Sequence, residues 1–71
     1  MTFGQKLKKL RADKGLSQFA MHLDTGIAQG TIAKWEKSVF IPSVPSLIKV
    51  ANYFDMTVEE LMEGVEIENA D

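Results

Sequence analysis

Two helix-opening signals near opposite ends of the chain bound what it can fold into. Thr2-Phe3-Gly4-Gln5 and Thr57-Val58-Glu59-Glu60 both have the spacing of a capping box. In that arrangement the hydroxyl accepts from the amide three residues on, and the Gln or Glu side chain reaches back to the capping residue's own amide. Between them apolar residues recur with a helical period. Phe3, Leu7 and Leu10 fall at i, i+4, i+7 with lysines on the other faces, and Lys14-Gly15 ends that helix. Ser17 caps a second helix reaching about Thr25, Gly26 makes a turn, and residues 29–37 form a third helix with Ile32 and Trp35 turned inward. Ser38-Val39-Phe40-Ile41-Pro42 reads as a loop, because the residue before a proline is pushed out of helical geometry. Ser43 caps a fourth helix, Pro45 is tolerated in its first turn, and its expected stripe is Val44, Leu47, Ile48, Ala51 and Phe54. A last short helix carries Leu61 and Met62. No stretch alternates as a strand would. The expected fold is all-α, a compact bundle of five short helices around one core.

Composition narrows the function classes. A chain of 71 residues supports one small domain, which buries only roughly 60% of its unfolded surface and has no room for a deep substrate cavity. With 45% hydrophobic and 25% charged residues it has the proportions of a globular domain and not of a disordered one. There is no cysteine and a single histidine, His22, so neither a zinc cluster nor a Ser-His-Asp arrangement is expected. No enzyme, cofactor or metal site follows from such a set. The N-terminus has no long apolar run, so neither a signal peptide nor a membrane span is expected, and a cytoplasmic setting is.

The net charge of −2 is unevenly spread. Residues 1–14 hold Lys6, Lys8, Lys9, Arg11 and Lys14 against Asp13 alone, whereas residues 63–71 hold Glu63, Glu66, Glu68 and Asp71 with no base. The expected division is therefore a folded domain over 1–62 and an acidic, flexible tail over 63–71. Charge of this kind permits nucleic-acid binding without demanding it.

Leu16-Ser17-Gln18, followed by Gly26-Ile27-Ala28-Gln29-Gly30-Thr31-Ile32-Ala33-Lys34-Trp35-Glu36, resembles the Cro/CI-type (XRE-like) helix-turn-helix family of phage and bacterial repressors. Phe3-Gly4 with Leu7 and Leu10, Ile41-Pro42-Ser43 and Val58-Glu59-Glu60-Leu61 look like the flanking segments of that family, so the likeness spans residues 3–62. The resemblance implies a lambda-repressor-like domain in which helix three enters the major groove of double-stranded operator DNA while helix two crosses the backbone. It places Gln18 on a phosphate, and Gln29, Gly30, Thr31 and Lys34 toward the groove, with Lys37 just beyond. Gln29 can pair with adenine and Lys34 with guanine; Gly30 reads nothing. It also implies that Arg11 and Glu36 form a structural salt bridge between helices one and three, and that the protein acts as a homodimer on a two-fold site. The Phe54–Met56 region and the last helix are one candidate interface.

The chain departs from the family pattern in two places. His22 stands where a small residue is preferred and Thr25 where a large aliphatic is preferred, while Phe19 and Leu23 occupy polar, exposed positions. Either helix two shifts register to bury Phe19, Ala20 and Leu23 and the turn over 24–28 lengthens, or the pattern holds and Phe19 and Leu23 form an outer apolar patch. The first is expected here, since Ala20 then supplies the small residue. In the loop after helix three, Val39-Phe40-Ile41 replaces the bases that hold phosphates, so Phe40 and Ile41 either fold over the core or form a contact surface. This predicts weak DNA binding. It also supports an alternative function: a modulator that complexes another repressor, as in a phage genetic switch, through Phe19, Leu23 and Phe40.

Overall fold

The computed structural model describes residues 1–66. It contains five helices: α1 (Phe3–Asp13), α2 (Gln18–Thr25), α3 (Gln29–Glu36), α4 (Val44–Tyr53) and α5 (Val58–Met62). Both capping boxes form, Thr2 with Gln5 and Thr57 with Glu60. The Oγ of Ser17 accepts from the amide of Ala20 and opens α2. Ser43 takes the cap backbone of α4, but its hydroxyl turns to Ser46 Oγ instead of a helix amide. Gly26 adopts a left-handed φ of 76° and its amide donates to the carbonyl of His22, so α2 stops there and the chain turns into α3.

Packing begins where α1 meets α3. Phe3, Leu7, Met21, Ile32, Trp35, Val50, Ala51, Phe54 and Leu61 form the buried core, and Phe3 meets Trp35 edge-to-face with ring centroids 6.3 Å apart. Gly4 permits this approach. A Cβ there would lie 2.4 Å from the carbonyl oxygen of Trp35 and 2.7 Å from that of Glu36. At the far end of the chain, Lys6 Nζ donates to the carbonyls of Glu60 and Glu63, at 3.2 and 2.8 Å. A cation thus closes the C-terminus of α5, where the helix dipole favours one. Lys6 is therefore a structural residue and not part of a free basic face.

The packing corrects the expectations for the α4 stripe, the helix-two register and Phe54, and decides between the alternatives left open for Phe40 and Ile41. The α4 stripe is Leu47, Val50, Ala51 and Phe54; Val44 and Ile48 face solvent, because the helix turns the Val50 side to the core. Helix two keeps the family register. Met21 is its fully buried residue, while Phe19 and Leu23 are 54% and 64% exposed, so they make the outer apolar patch and not a core stripe. Phe40 and Ile41 are also exposed and do not fold over the core. Phe54 is buried within the domain and offers no interface. Residues 63–66 do not leave the body either: Val65 packs against the core and the amide of Glu66 donates to the carbonyl of Met1 at 2.9 Å. The rest of the expected acidic tail, residues 67–71, lies outside the described residues.

The two exposed and buried glycines of this frame respond oppositely to a methyl group. Gly4→Ala drives Cβ into backbone that cannot step aside and is expected to cost at least about 1–3 kcal/mol. Gly30→Ala meets no atom within 4 Å and is expected to raise stability by about 0.5–1 kcal/mol. Urea midpoints of the two variants check this; equal shifts of the same sign would refute the close-approach account.

Candidate nucleic-acid interface

The outer face of α3 is set by what its inner face must bury. Ile32 and Trp35 lock the helix to the core, which leaves Gln29, Gly30, Lys34 and Lys37 exposed and Thr31 half-buried. Gly30, Lys34 and Lys37 fall at i, i+4, i+7 and so share one side of the helix, with Gln29 beside them at its start. Long helical side chains lean back over the preceding turn, so Lys34 lies toward the open space that Gly30 leaves. The helix N-cap, Ala28, supplies no side-chain hydrogen bond. The result is a projecting, mildly basic helix with polar side chains at its N-terminal half, of a width that a DNA major groove admits.

Behind this face sits a charged network. Arg11 Nε and Nη2 grip the two carboxylate oxygens of Glu36, the Nη2–Oε1 distance being 2.7 Å, and Arg11 Nη1 donates to the carbonyl of Leu16 at 2.7 Å. Both side chains are largely withdrawn from solvent, Arg11 at 13% and Glu36 at 4% exposure. Burial alone would raise the Glu36 carboxyl. The hydrogen bonds from Arg11 and Gln18 outweigh it, and hold the group below its ordinary range. The Arg11 guanidinium is raised in turn, first by its hydrogen bond to Glu36. Gln18 is the third member: its Nε2 donates to Glu36 Oε1 at 3.1 Å. That places its side chain on the α1–α3 junction, with one amide hydrogen already committed inward.

The turn between α2 and α3 is braced by the two residues that depart from the family pattern. Thr25 Oγ1 donates to the carbonyl of Met21 at 2.8 Å and accepts from the amide of Ile27 at 3.1 Å. His22 Nδ1 lies 2.6 Å from the carbonyl of Ile27, so the proton on that nitrogen donates. These side chains brace the turn that leads from α2 into α3, and a preference for a small residue at one position and a large aliphatic at the other gave no hint of it. A hydroxyl able to bond back one turn was the available signal at Thr25. Tyr53 adds an outer tie from α4: its hydroxyl donates to Asp24 Oδ2 at 2.7 Å, and burial together with that bond pushes its pKa up to about 12.

Among the described residues there is no group of side chains suited to hold a metal ion, and no helix is long and apolar enough to cross a membrane. A family model described as a helix-turn-helix domain matches residues 4–67. The HTH-type transcriptional activator BcrR of Enterococcus faecalis is 33% identical over 67 residues, which cover 94% of this chain and 33% of that protein. The SPbeta prophage-derived uncharacterized HTH-type transcriptional regulator YonR of Bacillus subtilis (strain 168) is 34% identical over 62 residues, 87% of this chain and 57% of that protein. The chain thus spans about a third of the first relative and little more than half of the second. A solved transcriptional regulator from Listeria innocua shares the fold, with a TM-score of 0.77 and 24% identity over 99% of this chain and 65% of that one. The chain belongs to the XRE/Cro-like helix-turn-helix family.

The Arg11–Glu36 pair makes a signed prediction. Because the Glu36 carboxyl is depressed in the fold, protons bind the unfolded chain more readily. Its contribution is complete above the ordinary carboxyl value of 4.5 and is lost as pH falls below it. Glu36→Gln is expected to flatten that acid limb of a urea-midpoint-against-pH curve and to cost about 3–5 kcal/mol at neutral pH by stranding the arginine. Arg11→Met with Glu36→Leu together should recover most of the loss. A single-site cost within experimental error would refute the role given to the pair.

Proposed function

We propose that this member of the XRE/Cro-like helix-turn-helix family is a small DNA-binding transcription regulator, a Cro-like repressor of phage or bacterial type, acting without a cofactor. One observation carries the reading: α3 is anchored by Ile32 and Trp35 so that Gln29, Gly30, Lys34 and Lys37 project together from the surface. In this reading α3 lies in the major groove. Gln29 pairs with adenine, Lys34 reaches guanine acceptors, and Lys37 meets a phosphate. Gly30 contributes closeness instead of readout, since a missing side chain lets the helix backbone approach base edges. Gln18 approaches the phosphate backbone at the start of α2 with its remaining amide hydrogen, and Thr31 flanks the groove. Relatives that include a transcriptional activator and a prophage-derived transcriptional regulator support transcriptional control. Few basic side chains serve the face, so affinity is modest and falls with salt.

The test is fluorescence anisotropy of the purified chain against DNA flanking its own gene, titrated with salt. Saturable binding with a sequence preference is expected. Lys34→Ala should cost about 1–3 kcal/mol and relax the preference at one position, and Lys37→Ala should reduce the salt slope by about one. Weak, sequence-blind binding indifferent to Lys34 would overturn the reading.

A second reading has its own observation. Phe19 and Leu23, one turn apart on the outside of α2, are more than half exposed. A partner repressor protein could seat on them, with DNA binding weak or absent. Phe19→Glu with Leu23→Lys would then abolish capture of a purified repressor from the native host while leaving DNA anisotropy unchanged; undiminished capture would rule this surface out.

A further inference from the structure

Residues 37–54 hold two lysines, Lys37 and Lys49, and no Asp or Glu, although the whole chain carries a net charge of −2. Glu36, the acid just before them, is bonded to Arg11 and withdrawn from solvent. Between the lysines, Val39, Phe40, Ile41, Val44 and Ile48 are between 45% and 67% exposed. The loop that presents the first three is anchored at both ends. The amide of Ser38 donates to the carbonyl of Trp35 and that of Val39 to the carbonyl of Lys34, while Pro42 is buried at the other end. Val44 and Ile48 follow one turn apart on α4, on the side turned away from Val50, Ala51 and Phe54. The main-chain amides of Phe40 and Ile41 donate to no other described residue. Isolated exposed apolar residues are ordinary; five in one stretch, rimmed by charge of a single sign, mark an interaction surface.

We propose that this stretch is a seat for an anionic lipid surface, on which the chain rests without crossing it. The rim chooses a bilayer over a protein. Lysine stems lie along apolar surface while their ammonium groups reach headgroup phosphates. A protein partner needs an acid placed opposite each lysine, whereas an anionic leaflet supplies one anywhere. A second copy would set the same lysines against their own kind. The loop backbone makes the same choice. A dry protein interface would bury the unpaired amides of Phe40 and Ile41, but the headgroup layer is wet and rich in acceptors. Ser38 and Ser43, both exposed in the stretch, can donate there as well. The apolar residues alone are a weak anchor: a single acyl chain holds a protein on a membrane only marginally, and firmer binding takes a second signal. Here the lysines are that signal. Each one near an anionic surface strengthens binding about fivefold, so the pair favours anionic over neutral bilayers roughly twentyfold. The stretch starts directly after α3, and Lys37 belongs to the face read above as DNA-binding, so a lipid surface and DNA compete for it. That competition rests on the DNA reading, whereas the lipid seat does not.

Flotation of the purified chain with lipid vesicles, in the absence of DNA, tests it. The variants are Phe40→Ser with Ile41→Ser, Lys49→Gln, and Phe19→Ser with Leu23→Ser as an apolar control on α2, each first shown to melt like wild type by circular dichroism. Wild type should float with equimolar phosphatidylcholine–phosphatidylglycerol vesicles and bind pure phosphatidylcholine vesicles roughly twentyfold more weakly. The loop variant should lose at least about tenfold on both. Lys49→Gln should lose about fivefold on the anionic vesicles alone, and the α2 control should bind as wild type does. No flotation at millimolar lipid would overturn the proposal. So would binding that the loop variant keeps, or that the α2 control loses equally. A chain that ignores vesicles yet forms dimers which the loop variant cannot form would assign the face to a second copy and overturn it too. Since the readout contains no DNA, a failure of the operator reading leaves this result standing.

Discussion

Everything at the exposed face of α3 depends on how closely α1 can lie against its C-terminal end. The backbone of α1 at Gly4 sits against the carbonyls of Trp35 and Glu36, with no space for a methyl group. That closeness puts Arg11 within reach of the Glu36 carboxylate and Phe3 against the indole of Trp35. The three contacts reinforce one another. A buried ion pair taken alone is poor grounds for stability, because desolvating two charges costs nearly what their attraction returns. Here its geometry is reinforced, since the carbonyl of Leu16 accepts a further N–H of Arg11 and Gln18 donates to the Glu36 carboxylate, and it joins α3 to α1.

The pair also builds the helices of the proposed interface into the stability of the fold. Gln18 opens α2 while its side chain joins the α1–α3 junction, so the helix that would cross a DNA backbone is tied to the helix that would read it. His22 and Thr25 brace the turn from α2 into α3 through Ile27, and Tyr53 ties α4 to Asp24 at the end of α2. A surface assembled in advance lowers the ordering cost of an encounter.

Much of the fold was legible because its signals are local. Capping boxes at Thr2 and Thr57, the cap at Ser17 and the left-handed glycine at Gly26 act within four residues, and the helices lie where those signals put them. The α3 stripe of Ile32 and Trp35 was equally plain. What failed was the choice between neighbouring apolar residues. Met21 against Phe19, and Val50 against Val44 and Ile48, is decided by which side of each helix meets a neighbour, and both helices are apolar on more than one side. The outer residues of α3 stand together on one side, as periodicity implies; whether they touch bases is a matter for binding measurements. The work of Lys6 was invisible for another reason, since its partners are backbone carbonyls more than fifty residues away.

That long reach bears on how the protein comes into being. Lys6 of the first helix closes the last, and Leu61 completes a core that Phe3 and Leu7 begin. The contacts of α1 with α3 close earlier, within residues 3–36: Gly4 on the carbonyls of Trp35 and Glu36, Phe3 on the indole of Trp35 and Arg11 on Glu36. A chain emerging from a ribosome thus has its central junction in hand once α3 is free, while the side of the core that Leu61 covers stays open until α5 follows.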